Sequence, residues 1–110
     1  MGTMVFVNFP VADVQRSTAF YEKLGFKKNE EFSTEEASSM MWDDQFWIML
    51  LNHDFYGKFI QEKQIIDAQT TSGALISFSL ESAEAVKQFG ETAKANGGNC
   101  YRVDMGIPEE

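Results

Sequence analysis

Residues 6–26, FVNFPVADVQRSTAFYEKLGF, place a strand, a turn, a helix and a stop in direct succession, and the rest of the chain echoes this order. Side chains alternate in character up to Pro10, which predicts a strand whose hydrogen-bond ladder weakens where proline lacks a donor. Asp13 stands where a helix over residues 14–24 needs a side chain that accepts from its free N–H groups. Gly25 permits the left-handed backbone that ends such a helix. The segment therefore predicts a strand followed by a capped helix.

The following segments extend this unit into a βαβββ module, which we place at residues 1–63. Lys27–Phe32 is short and charged, and it predicts an edge strand. Ala37–Trp42 and Phe46–Asn52 flank a short polar loop, which predicts a hairpin. The second of these strands is so apolar that we expect it at the centre of the sheet, covered on both sides. His53–Lys63 predicts a short helix or turn.

A second module follows a polar linker at residues 64–73. Ala74–Leu80 predicts a strand, and Ser82 is the next candidate helix cap. Ala83–Asn96 has the apolar periodicity of a helix, and an Asn-Gly-Gly sequence stops it. Cys100–Val103 predicts a further strand. The order of elements at the start of the first module is thus repeated.

A constant offset of 69 residues relates the two modules. Two pairs of phenylalanines show it: Phe9 with Phe78, and Phe20 with Phe89. Such an internal duplication predicts an α+β fold of tandem βαβββ modules within one domain, residues 1–110. The second module, residues 74–110, is incomplete in this interpretation, because its closing strands are not recognisable.

The charge of the chain limits the classes of partner. Seventeen acidic and nine basic residues give a formal net charge of −8. No stripe of Lys and Arg is present to neutralise phosphates, so we expect no nucleic-acid partner. A cationic small ligand is compatible with this charge, and so is an ordinary solvated acidic surface. Without a recognisable signal peptide or membrane span, and with the single cysteine Cys100, we expect a cytoplasmic protein and no membrane partner.

The helix and the turn after it resemble the vicinal oxygen chelate superfamily, which includes glyoxalase I, extradiol dioxygenases, fosfomycin resistance proteins and bleomycin resistance proteins. The motif comprises Asp13, Arg16, Ser17, Phe20, Tyr21, Leu24, Gly25 and Phe26. The segment MLLNHDFYGKF, residues 49–59, resembles a bacterial glyoxalase-like subgroup without assigned chemistry. The resemblance implies that the modules form an open barrel of the glyoxalase/bleomycin resistance type around a cavity.

The resemblance also implies where metal-dependent members hold a divalent ion. The corresponding positions here are Phe6, Leu75 and Leu50. None of these side chains offers a lone pair to a metal, so we expect no metal and no cofactor. The fourth ligand would lie on a closing strand that residues 104–110 cannot supply. The chain is then either truncated or completed by another subunit, and the sequence leaves both readings open.

The candidate ligand-binding residues divide into a polar pair and an apolar group. Asn8 and Ser77 share the 69-residue offset, and we expect them to face the inner side of the modules. An equal alternative for Asn8 is that it only satisfies neighbouring backbone. The apolar candidates, which are core residues unless the cavity is open, are Met40, Trp42, Phe46, Ile48 and Leu50. His53, the single histidine, fits a surface or capping position better than the role of a general base.

These observations favour a metal-free small-molecule binding protein, similar in use to bleomycin resistance proteins, with its ligand in the cavity between the modules. The alternative is a glyoxalase-like enzyme of the lyase or dioxygenase type that acts on a small metabolite. We also expect a homodimer, because an incomplete second module would leave an apolar face uncovered.

Overall fold

The structure is a computed structural model that describes residues 2–67, 69–74 and 76–98. The chain divides into two compact units, Met1–Gly73 and Ala74–Glu110. The described residues of the first unit form one mixed four-stranded sheet with two helices, and those of the second unit contain one helix. The predicted α+β class is therefore confirmed. The division of residues 1–110 into two modules of one domain stays a prediction.

The first strand and helix form as the sequence predicts. β1 is Val5–Val11 and α1 is Val14–Lys23. Asp13 is the N-cap of α1, and its Oδ1 accepts a hydrogen bond of 3.1 Å from the backbone N–H of Arg16. Gly25 has a φ of +106°, which only glycine adopts at little cost. The predicted cap and stop are both confirmed.

The sheet is completed by three further strands and followed by a second helix. β2 is Lys27–Lys28, β3 is Ala37–Met41, β4 is Phe46–Asn52 and α2 is His53–Ile60. The strand order is β1-β4-β3-β2, with β1 parallel to β4 and the other pairs antiparallel. β4 is thus a central strand, as its apolar sequence predicts. The side chain of Asn52 caps α2 and accepts a hydrogen bond from the N–H of Phe55.

The β3–β4 hairpin is also confirmed, and one side chain organises its loop. Asp43 Oδ1 accepts hydrogen bonds of 2.8 Å from the backbone N–H groups of both Gln45 and Phe46. The ladder ends at Met41, although Trp42 still donates its N–H to Phe46 O at 2.9 Å. Asp side chains often bond the backbone two residues on, so this loop chemistry fixes the register of the hairpin.

The predicted edge strand Lys27–Phe32 is wrong beyond Lys28. Asn29 is the cause, because its Oδ1 accepts the N–H of Phe32 and its carbonyl accepts the hydroxyl of Ser33. Such local side-chain bonds compete with a strand ladder. The chain turns away from the sheet edge at this point and returns at β3.

The register gives the sheet two distinct faces. Tyr21 of α1 contacts Phe26, which contacts Phe46 of β4, so the face that carries Phe46 is the one packed against α1. We call it the α1 face, and it also carries Val7, Phe9, Ser38, Met40, Ile48 and Leu50. The opposite face, which we call the Trp47 face, carries Phe6, Asn8, Ala37, Ser39, Met41, Trp47, Met49 and Leu51.

The second unit contains α3, Ala83–Ala95, which Ser82 caps through a hydrogen bond from the N–H of Ala85. This cap and its partner lie 69 residues after those of α1, so the offset read from the sequence holds in the hydrogen bonds. Phe78 packs edge-on against Phe89 of α3 at 5.6 Å between ring centroids. None of the helices in the described part of the chain is long and apolar enough to span a membrane.

The predicted strand Ala74–Leu80 does not form in the part of it that is described, residue 74 and residues 76–80. An apolar run becomes a strand only when another segment pairs with its backbone groups, and none of the described segments does so. The predicted strand Cys100–Val103 lies outside the described residues.

Candidate functional site

The residues predicted to bind a ligand do not share one surface. Asn8 is exposed on the Trp47 face, whereas Met40, Ile48 and Leu50 are buried on the α1 face. A ligand on one face of a sheet cannot touch side chains of the other face. The expectation that these residues line one ligand cavity is therefore corrected. Whether any of these residues binds a ligand stays a prediction.

The remaining predicted residues also fall into separate places. Trp42 and Phe46 pack around the Phe26 ring, with centroid distances of 5.1 and 6.1 Å, and so belong to the aromatic core next to α1. Ser77 is exposed in the second unit. His53 is exposed as the first residue of α2, where Asn52 already serves as the cap. The surface position is therefore the one that His53 occupies.

Three aromatic side chains, Phe6, Phe32 and Trp47, form what we call the aromatic surface. The Trp47 indole contacts both of the other rings, with centroid distances of 5.3 Å to Phe6 and 6.2 Å to Phe32. Trp47 is only 7% exposed, whereas Phe6 is 47% and Phe32 61% exposed. The Trp47 N–H is occupied, because it donates to Asp44 O at 3.3 Å. Phe6 and Phe32 thus remain about half exposed or more while they contact a buried indole whose N–H is already bonded.

The exposed Phe32 is attached to the sheet through its backbone. Ser39 of β3, which is fully buried, donates its hydroxyl to Phe32 O at 2.6 Å. The Phe32 N–H is held by Asn29, and the N–H of Ser39 donates to Ser33 Oγ at 3.0 Å. A buried hydroxyl that donates a hydrogen bond to a loop carbonyl fixes the backbone of that loop. The ring of Phe32 therefore projects from a fixed backbone.

Asn8 lies beside the aromatic surface at the outer edge of the sheet. Val5 donates its N–H toward β4, to Gln45 O, so the backbone groups of Phe6, Asn8 and Pro10 point the other way. The missing backbone N–H of Pro10 therefore removes no ladder hydrogen bond within the described sheet. The Asn8 amide makes only a weak 3.5 Å contact with Phe6 O. Its Oδ1 accepts no hydrogen bond from the described residues, so an incoming donor can use it.

The charges around the aromatic surface are mostly negative. Segment 29–36, which carries Phe32, contains four exposed glutamates and no lysine or arginine: Glu30, Glu31, Glu35 and Glu36. Glu30 forms an ion pair of 3.5 Å with Lys28, which contributes little at such an exposed position. Lys27 is the cation closest to Trp47 in the register of the sheet. It pairs with Met41 of β3, and Met41 pairs with Trp47 of β4.

Tyr21 is the one described group with a resolved shift in pKa. Burial of its phenol between α1 and Phe26 raises the pKa above the ordinary tyrosine value, because desolvation disfavours the phenolate. The residue belongs to the core side of the sheet and not to the Trp47 face, so it has no place in the candidate site.

The residues at the family's metal positions do not fit a metal ion. Phe6 offers no lone pair, and Leu75 lies outside the described residues. The expectation that Leu50 shares a metal position with Phe6 is corrected, because Leu50 pairs with Phe9 and lies on the α1 face. The residues of β4 that share the face of Phe6 are Trp47, Met49 and Leu51, of which only the Met49 thioether could act as a soft, weak ligand. Among the described residues, no three His, Cys, Asp or Glu side chains come together.

The first part of the sequence resembles a known protein family. Residues 3–40 match the family model described as bleomycin resistance protein-like N-terminal. The match covers β1, α1 and most of β3, which includes the motif that carries the resemblance. No curated protein sequence matches the chain.

Two solved structures share the fold over most of the chain. A hypothetical protein from S. aureus is 24% identical, with a TM-score of 0.68 over 88% of this chain and 71% of that one. A glyoxalase/bleomycin resistance protein/dioxygenase family enzyme from Burkholderia phytofirmans PsJN is 22% identical, with a TM-score of 0.61 over 87% of this chain and 74% of that one. The chain has the glyoxalase/bleomycin resistance fold, and its resemblance to the vicinal oxygen chelate superfamily is confirmed.

The aromatic surface was not among the sequence-based site residues, although part of its signal was present. Side chains alternate along a strand, so the hairpin loop at residues 43–45 already places Trp47 and Met41 on one face and Ile48 and Met40 on the other. The parallel register that adds Phe6 to Trp47 depends on contacts between distant parts of the chain. Phe32 has no sequence signal, because it reaches Trp47 only through the turn at Asn29.

Proposed function

We propose that this chain is a metal-free small-molecule binding protein whose ligand packs on the Trp47 face beside Asn8. The single observation that carries the proposal is the aromatic surface, on which two Phe rings are held against a buried indole and remain about half exposed or more. Ligand sites typically combine apolar and aromatic side chains with a few polar groups that fix orientation. Asn8, whose Oδ1 accepts no hydrogen bond from the described residues, is such a polar group.

The side chains at the family's metal positions support the metal-free part of the proposal. Phe6 cannot ligate an ion, and the β4 residues on its face offer no nitrogen or oxygen lone pair for one. Zinc, nickel or iron added to the purified protein is therefore expected to leave its melting temperature unchanged. A rise of several degrees that a chelator reverses would contradict this part.

A thermal-shift screen of small metabolites tests the binding function. A ligand present at 100 times its Kd stabilises the folded state by about 2.7 kcal/mol, which is a clear shift. Phe6→Leu and Asn8→Leu should reduce the shift caused by a hit. Phe59→Leu is the matched control, because Phe59 is 67% exposed on α2 and its ring packs against Phe55 of the same helix. Hits that respond to the control and not to Phe6→Leu would place binding elsewhere.

One observation favours the second candidate, a glyoxalase-like enzyme. The neighbour from Burkholderia phytofirmans is described as a family enzyme, and this chain spans 74% of its length. Elemental analysis of protein purified without chelator separates the two candidates. A stoichiometric divalent ion, together with turnover of a screened metabolite, would favour the enzyme over the binding protein.

The expected assembly and location are part of the same proposal. Two exposed apolar side chains outside the aromatic surface, Met4 just before β1 and Val5 at its start, lie at the outer strand of the described sheet. A second copy of the chain would cover them, so we propose a homodimer in the cytoplasm. Sedimentation at micromolar concentration should show one dimeric species, and a monomer that binds no hydrophobic dye would rule the dimer out.

A further inference from the structure

The thioether of Met41 lies where the turn at residues 29–36 meets the sheet. Met41 is the last residue of β3, where it pairs with Lys27 of β2, and its Sδ accepts a hydrogen bond of 3.7 Å from Asn29 Nδ2. The Oδ1 of the same amide accepts the N–H of Phe32 at 3.1 Å. Because that N–H needs an oxygen, the amide faces only one way, with its nitrogen toward the sulfur. Met41 therefore takes part in orienting the side chain that forms the turn.

Asn29 connects this turn to the sheet through several hydrogen bonds. Its N–H donates to Ser39 O at 2.8 Å, and its carbonyl accepts the hydroxyl of Ser33 at 2.6 Å. Ser33 Oγ in turn accepts the N–H of Ser39 at 3.0 Å. Hydrogen bonds that share partners stabilise one another, so a change in the position of the Asn29 amide affects the whole turn. A thioether is a weak acceptor, and the bond from Asn29 to Met41 is the longest of the set.

Met41 is accessible to oxidants, whereas its neighbour in β3 is not. Met40 is fully buried, and its Sδ accepts the Ser38 hydroxyl at 3.3 Å inside the core. Met41 is only half-buried. Met4, which takes no part in the hydrogen bonds of the turn given above, is 45% exposed just before β1. Because oxidation of a thioether follows its exposure, we expect Met41 and Met4 to react and Met40 to be protected.

We propose that Met41 is a redox-sensitive switch that releases the turn at residues 29–36 when its sulfur is oxidised. The oxidant is a hydroperoxide: a sulfur lone pair attacks one peroxide oxygen, the O–O bond breaks, and the proton of the attacked hydroxyl passes to the departing oxygen. The products are methionine sulfoxide and water or an alcohol, so the sulfur loses the two electrons that the peroxide gains.

The contact between Met41 and Asn29 does not survive this change. The 3.7 Å between Asn29 Nδ2 and the sulfur accommodates one N–H but no additional oxygen atom. An oxygen on the far side of the sulfur instead withdraws electrons and weakens the sulfur as an acceptor. In either case the amide loses its partner and moves, and the N–H of Phe32 loses its acceptor. The switch is independent of the proposed binding function, because it involves only the turn and the sheet.

Digestion by a glutamate-specific endoprotease tests the switch, because residues 29–36 contain four exposed glutamates. The protein is treated with hydrogen peroxide, and peptide mass spectrometry measures the sulfoxide at each methionine. We expect Met41 to oxidise well before Met40, and cleavage within residues 29–36 to accelerate by about three- to tenfold, the effect of one lost hydrogen bond. Cleavage after Glu22, which lies in α1, should not change. Methionine sulfoxide reductases for both sulfoxide epimers should restore slow cleavage.

Matched variants assign the effect to one sulfur. Met41→Leu, compared with its own untreated sample, should abolish the acceleration by peroxide, while Met4→Leu should leave it unchanged. Met41→Gln places a polar group at the same position and should give fast cleavage without peroxide. Oxidation of Met41 without faster cleavage, or acceleration that persists in Met41→Leu, would overturn the proposal. Equal acceleration after Glu22 would also overturn it, because that result means general unfolding and not the release of one turn.

Discussion

Replacing Asp13 by alanine removes both kinds of support that the N-terminus of α1 receives. The Asp13 carboxylate accepts the N–H of Arg16, and the first turn of α1 contains no other acidic residue. Loss of a cap of this type costs about 0.5–2 kcal/mol, and the charge at the helix end accounts for roughly 0.3–1 kcal/mol of it at low ionic strength. For a domain of this size, a loss of 1 kcal/mol lowers Tm by about 4 °C.

Urea unfolding followed by tryptophan fluorescence is the appropriate assay, because Trp42 and Trp47 both lie in the first unit. Asp13→Asn should keep most of the stability, since an amide oxygen also caps a helix, and the gap between Asn and Asp should narrow in salt. Asp44→Ala is the control, because it removes the same charge from an exposed side chain that bonds no described residue. If Asp13→Ala and Asp44→Ala have equal midpoints, the capping argument is refuted.

Further substitutions test the packing, the backbone and one ionisable group of the first unit. Leu50→Ala should cost about 2–5 kcal/mol because Leu50 is fully buried, whereas Phe59→Ala should cost less than about 1 kcal/mol in the same urea assay. Gly25→Ala should destabilise by about 1–2 kcal/mol because φ is +106°, while Gly57→Ala inside α2 should stabilise by about 0.5–1 kcal/mol because an added Cβ meets nothing within 4 Å. Burial raises the pKa of Tyr21 in the folded protein. Its contribution to the free energy of unfolding is therefore present below about pH 10, the pKa in the unfolded chain, and is lost as the pH rises through the pKa in the folded state. Tyr21→Phe should remove that alkaline loss from a series of melting curves, and an unchanged pH profile would contradict it.

The features that the sequence predicts well are those set by neighbouring residues. Asp13 and Ser82 cap their helices because each side chain reaches an N–H three residues on, and the sequence contains both partners. Gly25 stops α1 for an equally local reason, the freedom of its own backbone. Asp43 closes the hairpin within its own loop. Helix ends and the hairpin could therefore be placed without knowledge of the tertiary structure.

The features that the sequence does not predict depend on distant partners. Ala74–Leu80 has strand composition, yet a ladder requires a second segment whose position the run itself does not contain. The pairing of Phe6 with Trp47 follows from the parallel register of β1 and β4, which lie on opposite sides of α1 in the chain. Without knowledge of that register, Asn8 and Leu50 could both be assigned to the lining of one ligand cavity. The division of the candidate site between two faces could not be obtained from periodicity alone.

The early end of β2 and the exposure of Phe32 have a single structural cause. The N–H of Asn29 still donates to Ser39 O at 2.8 Å, but the ladder goes no further. If it continued past Asn29, Phe32 would alternate within an edge strand, and its carbonyl would be available to the sheet. Asn29 instead turns the chain, and the hydroxyl of Ser39 in β3 then donates a hydrogen bond to that carbonyl. Because Ser39 lies on the Trp47 face, this bond brings the Phe32 ring onto Trp47. The departure from regular strand structure is thus what builds the aromatic surface. Restoring the strand by Asn29→Val should therefore reduce the thermal shift caused by a hit of the metabolite screen.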